Sequence, residues 1–217
     1  MNELLNLILG ALLVLNLLLV SASRLRHCIK LVAIQGVLLG LLPLACAHPA
    51  DGHTWQFLLV MFLSLIIKGG LLPYLLLYTT RRINVRRELE PVVGYSLSLL
   101  IILALTGGAF WLGSVVPTAV AHGASPLVLP AALSTISTGL FLMVTRRKAI
   151  TQVMGFLIFE NGVSIFGTGM MIHNGLLVEL GLLLDIFALV FIMGIAVFNI
   201  NRSFRHIDTH SLNALGD

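Results

Sequence analysis

Hydrophobic positions run through this chain in long, nearly unbroken stretches, with neither the strict alternation of a half-buried strand nor the narrow stripe of a soluble helix. Seven stretches qualify as spans: 3–22, 29–47, 55–79, 91–115, 127–145, 149–172 and 176–200. Each approaches or exceeds the roughly 20 apolar residues that a helix needs to cross a bilayer. The breaks between them are short and polar. Pro49, Asp51 and Gly52 mark one, Pro117 to Pro126 another, and His173-Asn174-Gly175 a tight third. The pattern predicts an all-α, polytopic membrane protein of about seven transmembrane helices.

Composition agrees. Of 217 residues, 58% are hydrophobic and 10% are charged, against about 25% charged in a soluble domain. Mean hydropathy is +1.03. No polar stretch is long enough to build a soluble domain. The net charge of +4 does not point to nucleic acid, because its placement follows the spans. Arg24, Arg26 and Lys30 follow the first, and Arg81, Arg82, Arg86 and Arg87 the third. Arg146, Arg147 and Lys148 follow the fifth, and Arg202 and Arg205 the seventh. Twelve of the 13 Lys and Arg therefore lie in alternate connections. Basic loops mark the cytoplasmic side, which predicts an outside N-terminus and a cytoplasmic C-terminus. The opening segment carries Glu3 and no basic residue, with its positive charges afterwards. That order is the reverse of a signal peptide and favours a retained helix.

Metal chemistry finds little support. Cys28 and Cys46 form no C-x-x-C pair and read as small apolar residues. His48, His53 and His122 fall in predicted outer loops that supply few other ligands. The expectation is no metal site.

The thirteenth basic residue, Lys68, stands near the middle of the third span, in LIIKGGLLPYLLL. Glu160 stands near the middle of the sixth and Asp185 near the middle of the seventh, with Glu179 about one and a half turns nearer its outer end. A charge at the bilayer centre costs about 2.5–3.5 kcal/mol even on the lenient insertion scale. Such residues read by default as functional, facing the bundle or a water-filled cavity. The competing reading is a structural ion pair, Lys68 with Asp185 or Glu160, that pins helices and adds little net stability. Gln35 and Asn161 support a polar interior, as does the cluster Ser134, Thr135, Ser137 and Thr138, although hydroxyls also bond back to their own helix. Gly69, Gly70 and Pro73 beside Lys68 predict a bent or broken helix there. Gly36-x-x-x-Gly40 and the series Gly162, Gly167, Gly169 predict close helix packing.

Spans one to three and five to seven share a plan in which Gln35 corresponds to Glu160 and Lys68 to Asp185, a candidate parallel repeat. The chain then divides into an N-terminal three-helix unit (1–90), a connecting helix and outer loop (91–126), and a C-terminal three-helix unit with a cytoplasmic tail (127–217).

The segment TRRKAITQVMGFLIFEN, Asp185 in the last helix and the tail NRSFRHIDTHSLNALGD resemble the small K-type membrane subunit of respiratory complex I. With Gly155 and Asn161 aligned to that family, Glu160 falls about one helical turn later than the usual glutamate, a spacing that still shares a face. The last acid is aspartate where the family has glutamate. The whole chain resembles component E of hydrogenase-4, the seven-helix subunit of energy-converting and formate-linked nickel–iron hydrogenases. The residues that carry this are IIKGGLLP at Lys68 to Pro73, Gln35 in AIQGVLL, Glu160-Asn161-Gly162, LVELGLLLDIFALV with Glu179 and Asp185, and the Leu-Asn-Ala-Leu-Gly ending. The resemblance implies a membrane-arm subunit in a prokaryotic cytoplasmic (inner) membrane. Its expected partners are antiporter-like proton-pumping subunits, a membrane anchor subunit and a peripheral hydrogenase arm. It implies no cofactor in this chain, with the nickel–iron centre and iron–sulfur clusters in partner subunits. Proton translocation would run through Lys68, Glu160, Asp185 and Glu179, with Gln35 and Asn161 in support. The remaining readings are a scaffold for larger pumping subunits, the small subunit of a cation/proton antiporter complex, and an independent solute carrier.

Overall fold

The computed structural model describes residues 2–46, 62–82, 93–115, 125–146 and 149–170, with positions 186, 190 and 194 beyond them. Among these residues the architecture is all helical. Helix α1 is Asn2–Ser21 and α2 Leu25–Cys46. A π-helical segment, Leu65–Leu71, leads into α3, Leu72–Arg82. Helix α4 is Tyr95–Val115, α5 Val128–Thr145 and α6 Ala149–Met170. Five of them, α1, α2, α4, α5 and α6, are long and apolar enough to cross a membrane. They match the first, second, fourth, fifth and sixth predicted spans. The third span is present as helix from Phe62 onward. Most of the seventh span lies outside the described residues, but Ile186, Val190 and Gly194 in it are helical.

Local sequence sets the ends. Arg24 accepts backbone hydrogen bonds from His27 and Cys28, starting α2 directly after the Ala22-Ser23 turn. Pro130 sits in the first turn of α5, where its missing N–H leaves no helix bond unmade. The short links 22–24 and 146–148 make α1/α2 and α5/α6 neighbouring antiparallel pairs.

Helices from residues 1–90 pack directly on those from 127–217: α2 lies on α6, and α1 on α5. Glycines set the closest approaches. A Cβ on Gly139 would strike the backbone of Phe159, one on Gly155 would come within 2.7 Å of the Met143 nitrogen, and one on Gly162 within 2.6 Å of the Ile136 nitrogen. A Cβ on Gly36 would collide with the Lys68 carbonyl, and one on Gly40 would meet Leu65 at 2.9 Å. Gly36, Gly40 and Gly162 thus do what their spacing predicts. At Gly167 nothing among the described residues lies within 4 Å of an added Cβ.

Two apolar clusters fill the interior. One gathers Leu19, Leu25, Ile29, Val32, Leu142, Val153 and Leu157 near the helix ends that carry Arg24 and Arg146; the other gathers Leu5, Leu9, Leu12, Leu39, Leu42, Val128 and Ile165 toward the opposite end. Asn16, Gln35, Thr135, Glu160 and Asn161, all buried, lie between them. On the outside, α4 exposes Leu97, Leu100, Leu103, Trp111 and Val115, as expected of a helix whose solvent is lipid.

Candidate functional site

The site begins at a backbone irregularity. Pro73 cannot donate to the carbonyl four residues back, and its ring crowds that carbonyl. The chain answers by widening the preceding turns into a π-helix, in which the Leu72 N–H bonds the Ile67 carbonyl. The predicted bend or break at Lys68 is therefore a widened, still continuous helix. Gly36 admits this segment so closely that the Lys68 backbone rests against α2, and Gly69 meets Val37 on the same contact.

Lys68 is 5% exposed and Glu160 1% exposed. Lys68 Nζ lies 3.2 Å from Glu160 Oε1 and donates to Ser164 Oγ at 2.6 Å. Glu160 and Ser164 are one turn apart on α6, so they present two oxygens to one ammonium. Of the two acids the sequence offered Lys68, the described residues bring Glu160 to it. Asp185 and Glu179 lie outside the described residues.

Beside the pair runs a directed chain of amides. Asn161 Nδ2 donates to Gln35 Oε1 at 3.3 Å, Gln35 Nε2 to Asn16 Oδ1 at 2.9 Å, and Asn16 Nδ2 to Thr135 Oγ1 at 2.9 Å. Thr135 Oγ1 then donates to the Ala131 carbonyl at 2.7 Å. Four helices, α6, α2, α1 and α5, are tied at one depth by this chain. Thr138 bonds back to its own helix through the Ser134 carbonyl, as hydroxyls in helices do, and Ser134 pairs with Thr106 of α4 at 2.8 Å. Amide groups hold their protons tightly, so this chain orders and orients. Among the described residues at this depth, the groups that can gain or lose a proton are Lys68 and Glu160.

A cavity of about 10 Å³, lined by Val32, Lys68, Leu72, Leu157, Glu160 and Asn161, adjoins the pair. That is the space one water molecule needs, and the three polar groups around it are the partners a buried water requires.

Sequence reasoning missed three participants. Asn16 is a single amide in an apolar run, LLVLNLLLV, and carries the same signal as Gln35. Ser164 was legible only through its spacing of four from Glu160. Arg146, counted with Arg147 and Lys148 as a loop charge, is folded inward and 3% exposed. Its Nη2 donates to the Val20 carbonyl at 3.2 Å, and the guanidinium lies 5.4 Å from the centre of the Tyr95 ring. Cys28 is buried, in line with its reading as a small core residue. Among the described residues no group of His, Cys, Asp and Glu is arranged to hold a metal ion. His48, His53 and His122 lie outside them.

The chain is similar to a Mycobacterium tuberculosis protein described as uncharacterized protein Rv0085, with 31% identity over 211 residues that cover 96% of this chain and 94% of that one. No family model matches the sequence, and no solved structure matches the fold.

Proposed function

The chain belongs to the family of the Mycobacterium tuberculosis protein Rv0085, and we propose that it is a membrane-arm subunit of a complex I-related, energy-converting hydrogenase of the hydrogenase-4 type. In this reading it contributes intramembrane ionisable groups to proton translocation or to its coupling with redox chemistry. The observation that carries the reading is the Lys68–Glu160 pair, buried between two apolar clusters and seated on a π-helical turn. A bundle needing only cohesion does better with apolar residues there, and π turns are frequent at functional sites. The resemblance of the Lys68–Pro73, Glu160–Gly162 and Glu179–Asp185 segments supplies the class of complex. Asp185 and Glu179 extend the set along the seventh span. The nickel–iron centre and iron–sulfur clusters belong to partner subunits. The scaffold reading keeps one specific support, the amide chain that ties four helices together.

The test is copurification. A tagged chain, extracted gently from its own membrane, is expected to bring down antiporter-like subunits, a membrane anchor subunit and a hydrogenase arm containing nickel and iron. Recovery as a lone protein, with every candidate partner absent from the fraction, would contradict the assignment.

The same reading places the chain in the prokaryotic cytoplasmic membrane with its N-terminus outside. Arg24, Arg26, Lys30 and Arg146 belong to one end of the helix bundle, the end assigned here to the cytoplasm. Single cysteines at Asp51 and Ala121, in a background without Cys28 and Cys46, should react with an impermeant reagent from outside. Those at Asn84 and Arg147 should stay protected until the membrane is opened. Protection of Asp51 with outside labelling of Arg147 would invert the orientation.

A further inference from the structure

The cavity beside Lys68 and Glu160 has a neighbour. A second cavity of about 10 Å³ is lined by Leu19, Cys28, Leu142, Arg146, Thr151, Met154 and Ile158. The two are in line. Val32 of the first and Cys28 of the second are one turn apart on α2, and Leu157 and Ile158, consecutive on α6, line one cavity each. From the ion pair the order runs toward the basic end: Val32, Leu72 and Leu157 each lie about one turn that way from Gln35, Lys68 and Glu160. Cys28, Met154, Thr151 and Arg146 lie further along the same direction. Glu160 and Thr151 are about 13 Å apart along α6 at 1.5 Å per residue.

An independent observation places an unsatisfied polar group at the second cavity, whose lining is otherwise mostly apolar. Arg146 lines it, is 3% exposed, and its Nη1 has no hydrogen-bond partner among the described residues. A buried guanidinium nitrogen left unpaired is costly, and buried polar groups are normally satisfied by protein or by ordered water. Thr151 adds a second polar group to the lining.

We infer that these two cavities are water sites in series, forming a hydrated approach from the Arg146 end of the bundle to the Lys68–Glu160 pair. The inference rests on the proposed role of that pair for its purpose, though not for its geometry. A water at Arg146 takes a hydrogen bond from Nη1. A water beside the pair lies among Lys68, Glu160 and Asn161. One layer of side chains, Val32 with Leu157 and Ile158, separates them, and its motion joins the two sites. Through the inner water, Lys68 as ammonium gives a proton to the water oxygen while that water gives one to the Glu160 carboxylate. The charged pair becomes a neutral amine and a carboxylic acid, with the water unchanged. The fixed guanidinium at the entrance disfavours free cations beside it, so the approach admits water and rejects hydrated metal ions.

Radiolytic hydroxyl-radical labelling, which marks side chains next to bound water, tests this on the full chain in lipid nanodiscs and in its membrane complex. Cys28 and Met154, both buried, should be oxidised severalfold faster than Met143, which lines neither cavity. Cys28→Leu should abolish the labelling of Met154, and Cys28→Ser should preserve it. Val32→Leu, which fills the inner site and leaves Lys68 and Glu160 in place, should remove proton uptake from the assembled complex, and Val32→Ala should keep it. Labelling of Cys28 and Met154 no faster than Met143 overturns the water path and leaves the proton role of the pair to its own test. Fast labelling together with full proton uptake in both Cys28→Leu and Val32→Leu overturns the path as a proton route.

Discussion

Glu160→Ala is expected to cost about 3–5 kcal/mol of stability, because it removes the carboxylate 3.2 Å from the buried Lys68 ammonium. That is a large share of the roughly 5–15 kcal/mol that holds a domain together. Ser164 stays as a hydrogen-bond acceptor at 2.6 Å, but a neutral hydroxyl does not replace a carboxylate. Lys68→Met alone should be destabilising for the mirrored reason, a buried carboxylate that has lost the ammonium 3.2 Å away. The combination Lys68→Met with Glu160→Gln removes both charges and should recover most of the loss. The check is a double-mutant cycle on unfolding in detergent, with subunit stoichiometry measured alongside. A double variant as unstable as the worse single would mean that the two residues do not act as a pair.

Gly139→Val should be the most damaging substitution at the α5–α6 contact. Its Cβ would lie on the Phe159 backbone and within 2.7 Å of the Gly155 carbonyl. Neither obstacle is a flexible side-chain end, so relief requires the helices to separate. Overpacking against side chains alone costs about 1–3 kcal/mol, and a backbone collision exceeds that range. Gly36→Ala should act similarly at α2, pushing the Lys68 carbonyl and with it the π turn that aims the ammonium. Gly167→Ala is the matched control. With nothing among the described residues within 4 Å, it should change stability by no more than about 1 kcal/mol, and toward greater stability, since alanine is the better helix former. Thermal unfolding in one detergent ranks the three. Equal tolerance of Gly139→Val and Gly167→Ala would show that α5 and α6 are not packed backbone to backbone.

Much of this architecture was legible in the sequence for a simple reason. In a bilayer, helix length and apolarity are imposed by the solvent, so α1, α2, α4, α5 and α6 fall close to the stretches their hydropathy marks. Lys68 and Glu160 stood out because an ionisable group in a run of leucines has no cheap explanation. That Glu160 lies against Lys68 was not legible, because Glu160 and Asp185 each stand near the middle of their own span in the sequence, and sequence position alone does not say which helices are neighbours. Asn16 gives no signal of its own: one amide in an apolar run identifies no partner, and Thr135 is 119 residues away. Arg146 looked like its neighbours Arg147 and Lys148. What distinguishes it is the reach of its side chain from the end of α5 to the Val20 carbonyl and the Tyr95 ring, a matter of tertiary placement. Gly162 and Gly167 carry identical local signals, and only the presence of α5 against the first separates them.

If Lys68 and Glu160 exchange protons as well as hold helices together, the decisive experiment is proton uptake into proteoliposomes containing the intact complex with the Lys68→Met, Glu160→Gln double variant. Removing both charges avoids leaving one of them buried alone, and subunit stoichiometry measured alongside separates a loss of proton movement from a loss of assembly. The account predicts an assembled complex with normal subunit stoichiometry and no redox-driven proton uptake. Full proton uptake by that assembled complex would contradict it and leave the pair as a structural pin.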